Sequence, residues 1–128
     1  MNETARTERK RARVLVVDDE PRILRFTRLS LAASGYEVIT AAKGQEALSL
    51  VQSDKPDIML LDVVLPDTDG LEVLKKLRTF CQIPVIVFSA KTFNADQILS
   101  LGANDYIAKP FKPAELLEKI KAILAAKG

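Results

Sequence analysis

Histidine and tryptophan are both absent from the 128 residues, and cysteine occurs once. Without histidine there can be no Ser-His-Asp triad, no imidazole proton shuttle and no His-ligated zinc. A single cysteine, Cys81, cannot form an intramolecular disulfide, which fits a reducing compartment, and it has no histidine to activate it. Glycine is scarce at five residues, and neither a Gly-x-x-x-x-Gly-Lys nor a Gly-x-Gly-x-x-Gly loop can be found among them. Nucleotide-binding loops of those types are therefore excluded. No apolar run approaches the length of a membrane span, and Val14 to Val17, after the basic stretch, is too short for a signal-peptide core. The expected location is the cytoplasm, with no membrane contact. The net charge is only +2, and much of the positive excess lies in Arg6 to Arg13. Direct nucleic-acid binding by the chain is not expected. Residues 1–12 read as a solvated basic tail and residues 13–126 as one folded domain. The remaining chemistry must run on carboxylates, hydroxyls and lysines.

What is present is an alternation. Strands are predicted near Arg13 to Val17, Tyr36 to Thr40, Asp57 to Leu61, Pro84 to Phe88 and Asn104 to Ala108. Helical stripes fall between and after them: Ile23, Leu24, Thr27 and Leu31, opened by Pro21 and closed near Gly35; then Ala47, Leu48 and Val51; then Leu71, Leu74 and Leu77. The last carries Leu116, Ile120, Ile123 and Leu124 from near Pro113. Between Ser89 and Gly102 only Ile98, Leu99 and Leu101 form an apolar face, the poorest helical pattern of the five. The first, third and fourth strands are nearly continuous apolar runs, as central strands covered on both faces should be. The fold class is α/β, a doubly wound parallel sheet with helices on both faces.

Four of these runs end in chemically competent residues. Val14 to Val17 leads into Asp18-Asp19, Ile58 to Leu61 into Asp62, Val85 to Phe88 into Ser89, and Tyr106 to Ala108 into Lys109. In an open parallel sheet these ends meet at one edge, where ligands bind. Adjacent carboxylates repel unless a cation binds there, and Asp18, Asp19 and Asp62 make a hard oxygen set suited to Mg²⁺. Taken alone, Asp19 and Glu20 could equally open the following helix, where negative charge suits the dipole. Asp62 favours the site reading, because it lies within an apolar stretch from Ile58 to Leu65 and a carboxylate there needs compensation. Lys109, followed by Pro110 and Phe111, can neutralise a phosphoryl oxygen, and Ser89 can donate to another. Pro66 to Gly70 is turn chemistry, with Asp67, Thr68 or Asp69 available as caps.

The set Val16-Val17-Asp18-Asp19-Glu20, Leu61-Asp62, Leu65-Pro66, Asp69-Gly70, Phe88-Ser89-Ala90, Gly102-Ala103, and Asp105-Tyr106 leading to Lys109-Pro110-Phe111 resembles the response-regulator receiver domain of two-component signalling. The resemblance runs from Arg13 to about Leu124. It implies a flavodoxin-like (βα)5 fold with strand order 2-1-3-4-5, and a cis bond between Lys109 and Pro110. It further implies that Asp62 is the phosphoacceptor, supplied by a sensor histidine kinase. Mg²⁺ would be held by Asp18, Asp19, Asp62 and the carbonyl of Val64, directly or through water. Ser89 and Lys109 would contact the phosphoryl group, and Tyr106 would turn inward as Ser89 moves, a switch controlling a downstream output domain or protein. On this reading the chain is not an enzyme beyond its own phosphorylation and dephosphorylation.

The chain also departs from that family. From Ser89 to Lys109 it is about two residues short, a difference that falls in the fourth helix or the loop before it. Among receivers of winged-helix transcriptional regulators, which it resembles most in character, Asn104 stands where an acidic residue is usual. Ala114 and Glu118 stand where basic interface residues are common. A phosphorylation-dependent homodimer would thus need a different pairing, for which Lys119 and Lys121 are available. Val64 and Lys91 offer no acceptor to orient an attacking water. Two alternatives come from other classes. A Mg²⁺-dependent phosphatase with an aspartate nucleophile normally has a second aspartate where Val64 stands. A phosphorylation-independent interaction module would typically have lost one of Asp18, Asp19, Asp62 or Lys109, and all four are present.

Overall fold

Residues 11–89 and 94–127 are described by a computed structural model. Its elements alternate along the chain: β1 (Arg13–Val17), α1 (Pro21–Ala33), β2 (Glu37–Ala41), α2 (Gly44–Asp54), β3 (Ile58–Asp62), α3 (Gly70–Arg78), β4 (Val85–Ser89), α4 (Ala95–Ser100), β5 (Asp105–Ala108) and α5 (Pro113–Lys127). The strands form one parallel sheet in the order β2-β1-β3-β4-β5, the doubly wound arrangement expected. Residues 1–10 of the expected basic tail lie outside the described residues, as do Ala90 and Lys91.

Four strands begin one residue later than the pattern predicts, and β2, β3 and β4 also end one residue later. The reason is visible at two of their starts. The Asp57 amide donates to the Arg13 carbonyl at 2.8 Å while its carboxylate accepts from the Arg13 amide at 2.7 Å. Asn104 bonds Val85 twice, through its own amide at 2.8 Å and through its side-chain oxygen at 2.9 Å. Polar side chains thus close the ladder at its N-terminal edge. The consequence reaches the opposite edge: Asp62 and Ser89 are the last residues of their strands, paired in register with Phe88 and Ala108, and are held by the sheet.

Side chains alternate across a strand, so each sheet face carries one parity of residues. Val14, Val16, Ile58, Leu60, Ile86, Phe88 and Ile107 pack under α1 and α5, where Leu31, Leu116 and Ile120 are buried. Leu15, Val17, Met59, Leu61, Val85 and Val87 pack on the other face with Val73, Leu74 and Leu77 of α3 and Ile98 of α4. Helix ends follow local chemistry: α1 starts with proline in its first turn and closes before Gly35, whose φ of 93° is readily open to glycine. The weakest helical pattern gives the shortest helix, α4, six residues with only Ile98 buried. The Lys109-Pro110 peptide bond is cis, as the resemblance implied.

Candidate functional site

The parity that sorts the core also builds the site. Asp18 continues the alternation of Val14 and Val16, Asp62 that of Ile58 and Leu60, and Lys109 that of Ile107. All three therefore project on the α1/α5 face at the C-terminal edge of the sheet. Register supplies the remaining alignment, since Val17 pairs with Leu61, and the Lys109 amide donates to the Ser89 carbonyl at 2.8 Å.

The Lys109 ammonium donates to Asp18 Oδ2 at 2.5 Å and to Asp62 Oδ2 at 3.0 Å, with Glu20 Oε1 at 3.8 Å. Asp18 and Asp62 are buried, and the Lys109 side chain is only 8% exposed, so this ion pairing is shielded from solvent. The other Asp18 oxygen accepts from the Glu20 amide at 2.9 Å, and Asp62 Oδ1 accepts from the Val64 amide at 3.2 Å. Burial raises the Asp18 carboxyl above the ordinary aspartate value, against the opposing pull of Lys109. Burial alone would lower the Lys109 ammonium, but its hydrogen bonds to Asp18 and Asp62 outweigh that, and its pKa ends above the usual lysine value.

Carboxylate oxygens of Asp18, Asp19 and Asp62 lie within 4.8 Å of one another, with Asp19 exposed and the other two buried. Three hard oxygen donors around one opening, the exposed one facing solvent, fit a small divalent cation that keeps part of its water shell. The loop beyond Asp62 is pinned. Gly70 donates to the Val63 carbonyl at 2.8 Å, and Val64 bridges to Asp69. A Cβ on Gly70 would stand 2.2 Å from the Asp62 carbonyl oxygen, so only glycine allows this close approach. Val64 is 53% exposed beside the carboxylate.

Of the residues read from the sequence, Asp18, Asp62 and Lys109 are in direct contact, and Asp19 completes the acidic group. Ser89 is buried at the same edge, on the opposite parity from Phe88. Tyr106 is exposed in β5. Lys119 pairs with Asp105 of its own chain at 3.1 Å. Three features went unread. Glu20 reaches towards Lys109. The Phe88 ring lies beneath the ammonium, 4.8 Å from its centroid, and the shared parity of Phe88 and Lys109 was the available signal. Asp67, expected to act near α3, instead accepts from the Gly44 and Gln45 amides at 2.8 and 3.1 Å and so caps α2, while Asp69 caps α3 through Leu71 at 2.8 Å. Those two amide bonds hold the Asp67 carboxyl below its ordinary range.

A family model described as "Response regulator receiver domain" matches residues 14–121. The alkaline phosphatase synthesis transcriptional regulatory protein PhoP of Bacillus subtilis is 46% identical over 115 residues, covering 88% of this chain and 48% of that protein. The transcriptional regulatory protein KdpE of Mycobacterium tuberculosis is 47% identical over 111 residues, covering 85% and 49%. The chain thus spans about half the length of the curated relatives it matches. Among solved structures, a CheY-like response regulator receiver domain protein from Methanospirillum hungatei superposes with a TM-score of 0.85 at 35% identity, covering 91% of this chain and 95% of that one.

Proposed function

This chain belongs to the response regulator receiver domain family, and from that premise we propose that Asp62 is its phosphoacceptor, with Lys109 neutralising the incoming phosphoryl group. Receivers are signalling modules of two-component systems. The observation that carries the assignment is the Lys109 ammonium bridging two buried carboxylates at the C-terminal ends of β1 and β3, at 2.5 and 3.0 Å. A carboxylate is ionised at neutral pH and needs no base to attack phosphorus, which explains how the site dispenses with histidine. An Asp62 oxygen forms the new O–P bond as the donor's P–N bond, in a phosphohistidine of a sensor kinase, or P–O bond, in acetyl phosphate, breaks. The electron pair leaves with the imidazole or acetate. Lys109 exchanges one carboxylate for a phosphoryl oxygen, and Ser89 donates to another. Asp18, Asp19 and Asp62, with the Val64 carbonyl, would hold Mg²⁺. When bound, that ion supplies charge neutralisation for phosphoryl transfer.

The chain catalyses only its own phosphorylation and dephosphorylation, residues 13–126 form the receiver and 1–12 a basic tail, and the setting is cytoplasmic. Tyr106, exposed in this state, turns inward with Ser89 on phosphorylation, and the change is read by a downstream output domain or protein or by a homodimer. Both named relatives are transcriptional regulatory proteins, which supports a transcriptional output. Incubation with acetyl phosphate should add one phosphoryl group in Mg²⁺ and none in EDTA. Equal labelling under both conditions would contradict the metal assignment, and no labelling in Mg²⁺ would contradict the phosphoacceptor reading.

A further inference from the structure

Phe88 is the penultimate residue of β4, one before Ser89, buried at 1% exposure, and its ring lies against the working end of Lys109. The ammonium sits 4.8 Å from the ring centroid, inside the range in which a cation is attracted to an aromatic face. A second ring holds the first. Phe111, two residues beyond Lys109, meets Phe88 edge-on at 5.9 Å and 76°, and Phe26 of α1 packs tilted against Phe111 at 6.3 Å. Turning the Phe88 ring would change its edge-on contact with Phe111.

We infer that Phe88 is a positioning residue for phosphorylation: its ring face fixes where the Lys109 ammonium stands. This rests on the proposed role of Lys109. Ion pairs alone leave the ammonium a choice, because Glu20 Oε1 is only 3.8 Å away and its side chain is exposed. A lysine that closed on Glu20 would shift from its present distances of 2.5 Å to Asp18 and 3.0 Å to Asp62. The ring opposes that movement, and its attraction has no preferred hydrogen-bond direction. Lys109 can therefore trade a carboxylate for a phosphoryl oxygen while staying in place. An aliphatic residue could fill the same volume but could not attract the charge.

The test uses acetyl phosphate and Mg²⁺, with no partner protein, on the whole chain. Phe88→Leu should slow phosphorylation about three- to thirtyfold, the span between a partly solvated and a desolvated cation–ring contact. It should also remove the upfield ring-current shift of the Lys109 ε-methylene protons. In a Lys109→Ala background the same substitution should cost nothing further. Because Phe88→Leu could disturb packing, a second series introduces mono-, di- and trifluorophenylalanine at position 88. These rings keep their shape while their attraction for a cation falls stepwise, and the logarithm of the rate should fall with each fluorine. The same series at position 111 should show no trend. If Lys109→Ala itself phosphorylates at the wild-type rate, the role of Lys109 fails. If Lys109→Ala is slow but the fluorine series at position 88 is flat, or Phe88→Leu slows both backgrounds equally, the positioning role of Phe88 fails while that of Lys109 stands.

Discussion

Asp19→Asn should make the metal-free domain more stable and the Mg²⁺-loaded domain less stable, so that the order of the two proteins reverses with metal. The Asp19 carboxylate lies within 4.8 Å of those of Asp18 and Asp62, and the single ammonium of Lys109 is engaged by those two. Asp19 therefore faces about one uncompensated negative charge. At that spacing one like-charge pair costs about 0.9 kcal/mol in a water-like dielectric. Asp19 is exposed, so salt reduces the relief to about 0.5–0.8 kcal/mol. For a domain of this size that raises the melting temperature by about 2–3 °C in EDTA. With Mg²⁺ at about ten times its Kd, the wild type should gain about 1.4 kcal/mol, most of which the variant forgoes because it has lost a ligand. Calorimetric melts of both proteins in EDTA and across a Mg²⁺ series measure the crossing. A variant that is less stable than wild type in EDTA, or that shifts in parallel with it at every Mg²⁺ concentration, would refute the crowded-carboxylate reasoning.

Three further outcomes are expected. The Thr27 hydroxyl is fully buried in α1 with no hydrogen-bond partner among the described residues, so Thr27→Val should stabilise the domain by about 1 kcal/mol in urea titrations; a loss of stability would mean that the hydroxyl is satisfied. The depressed pKa of Asp67 means that its contribution is fully present above its ordinary value of 3.8 and is lost as pH falls through the lowered folded value. Asp67→Asn should accordingly melt below the wild type at pH 7, with the gap closing in acid, and a pH-independent gap would remove the α2 cap from the account. Finally, Val64 and Lys91 provide no acceptor to align water for in-line attack, so the phosphorylated state should last minutes or longer. The Val64→Asn/Lys91→Glu double variant should lose phosphoryl label faster at equal Mg²⁺; equal decay would show that these positions do not set the lifetime.

The sheet was legible because its three central strands are uninterrupted apolar runs, and because Pro21 and Gly35 punctuate the first helix. The strand boundaries were less so. Asp57 and Asn104 look like strand residues by position, yet their side chains close the ladder from outside it, and the strands start one residue further on. The acidic group and Lys109 were readable as strand-end residues, since parallel order turns sequence ends into spatial neighbours. What the pattern could not give was partner choice across the edge. Asp67 lies one residue after a proline and two before a helix cap, and nothing local says that its carboxylate serves α2. Gly70 reads as turn chemistry, while its need is set by the Asp62 carbonyl packed against it. Phe88 reads as one more core residue in a run of four, and only the pairing of β4 with β5 puts its ring beneath Lys109.

The central claim is that Asp62 alone accepts the phosphoryl group, and its most direct test is to locate the modification. After reaction with acetyl phosphate and Mg²⁺, borohydride reduction converts an aspartyl phosphate to homoserine, which peptide mass spectrometry can place. The account predicts homoserine at position 62 only, and none anywhere in Asp62→Asn treated identically. Homoserine at position 18 or 19 in the wild type, or undiminished phosphoryl incorporation by Asp62→Asn, would contradict it.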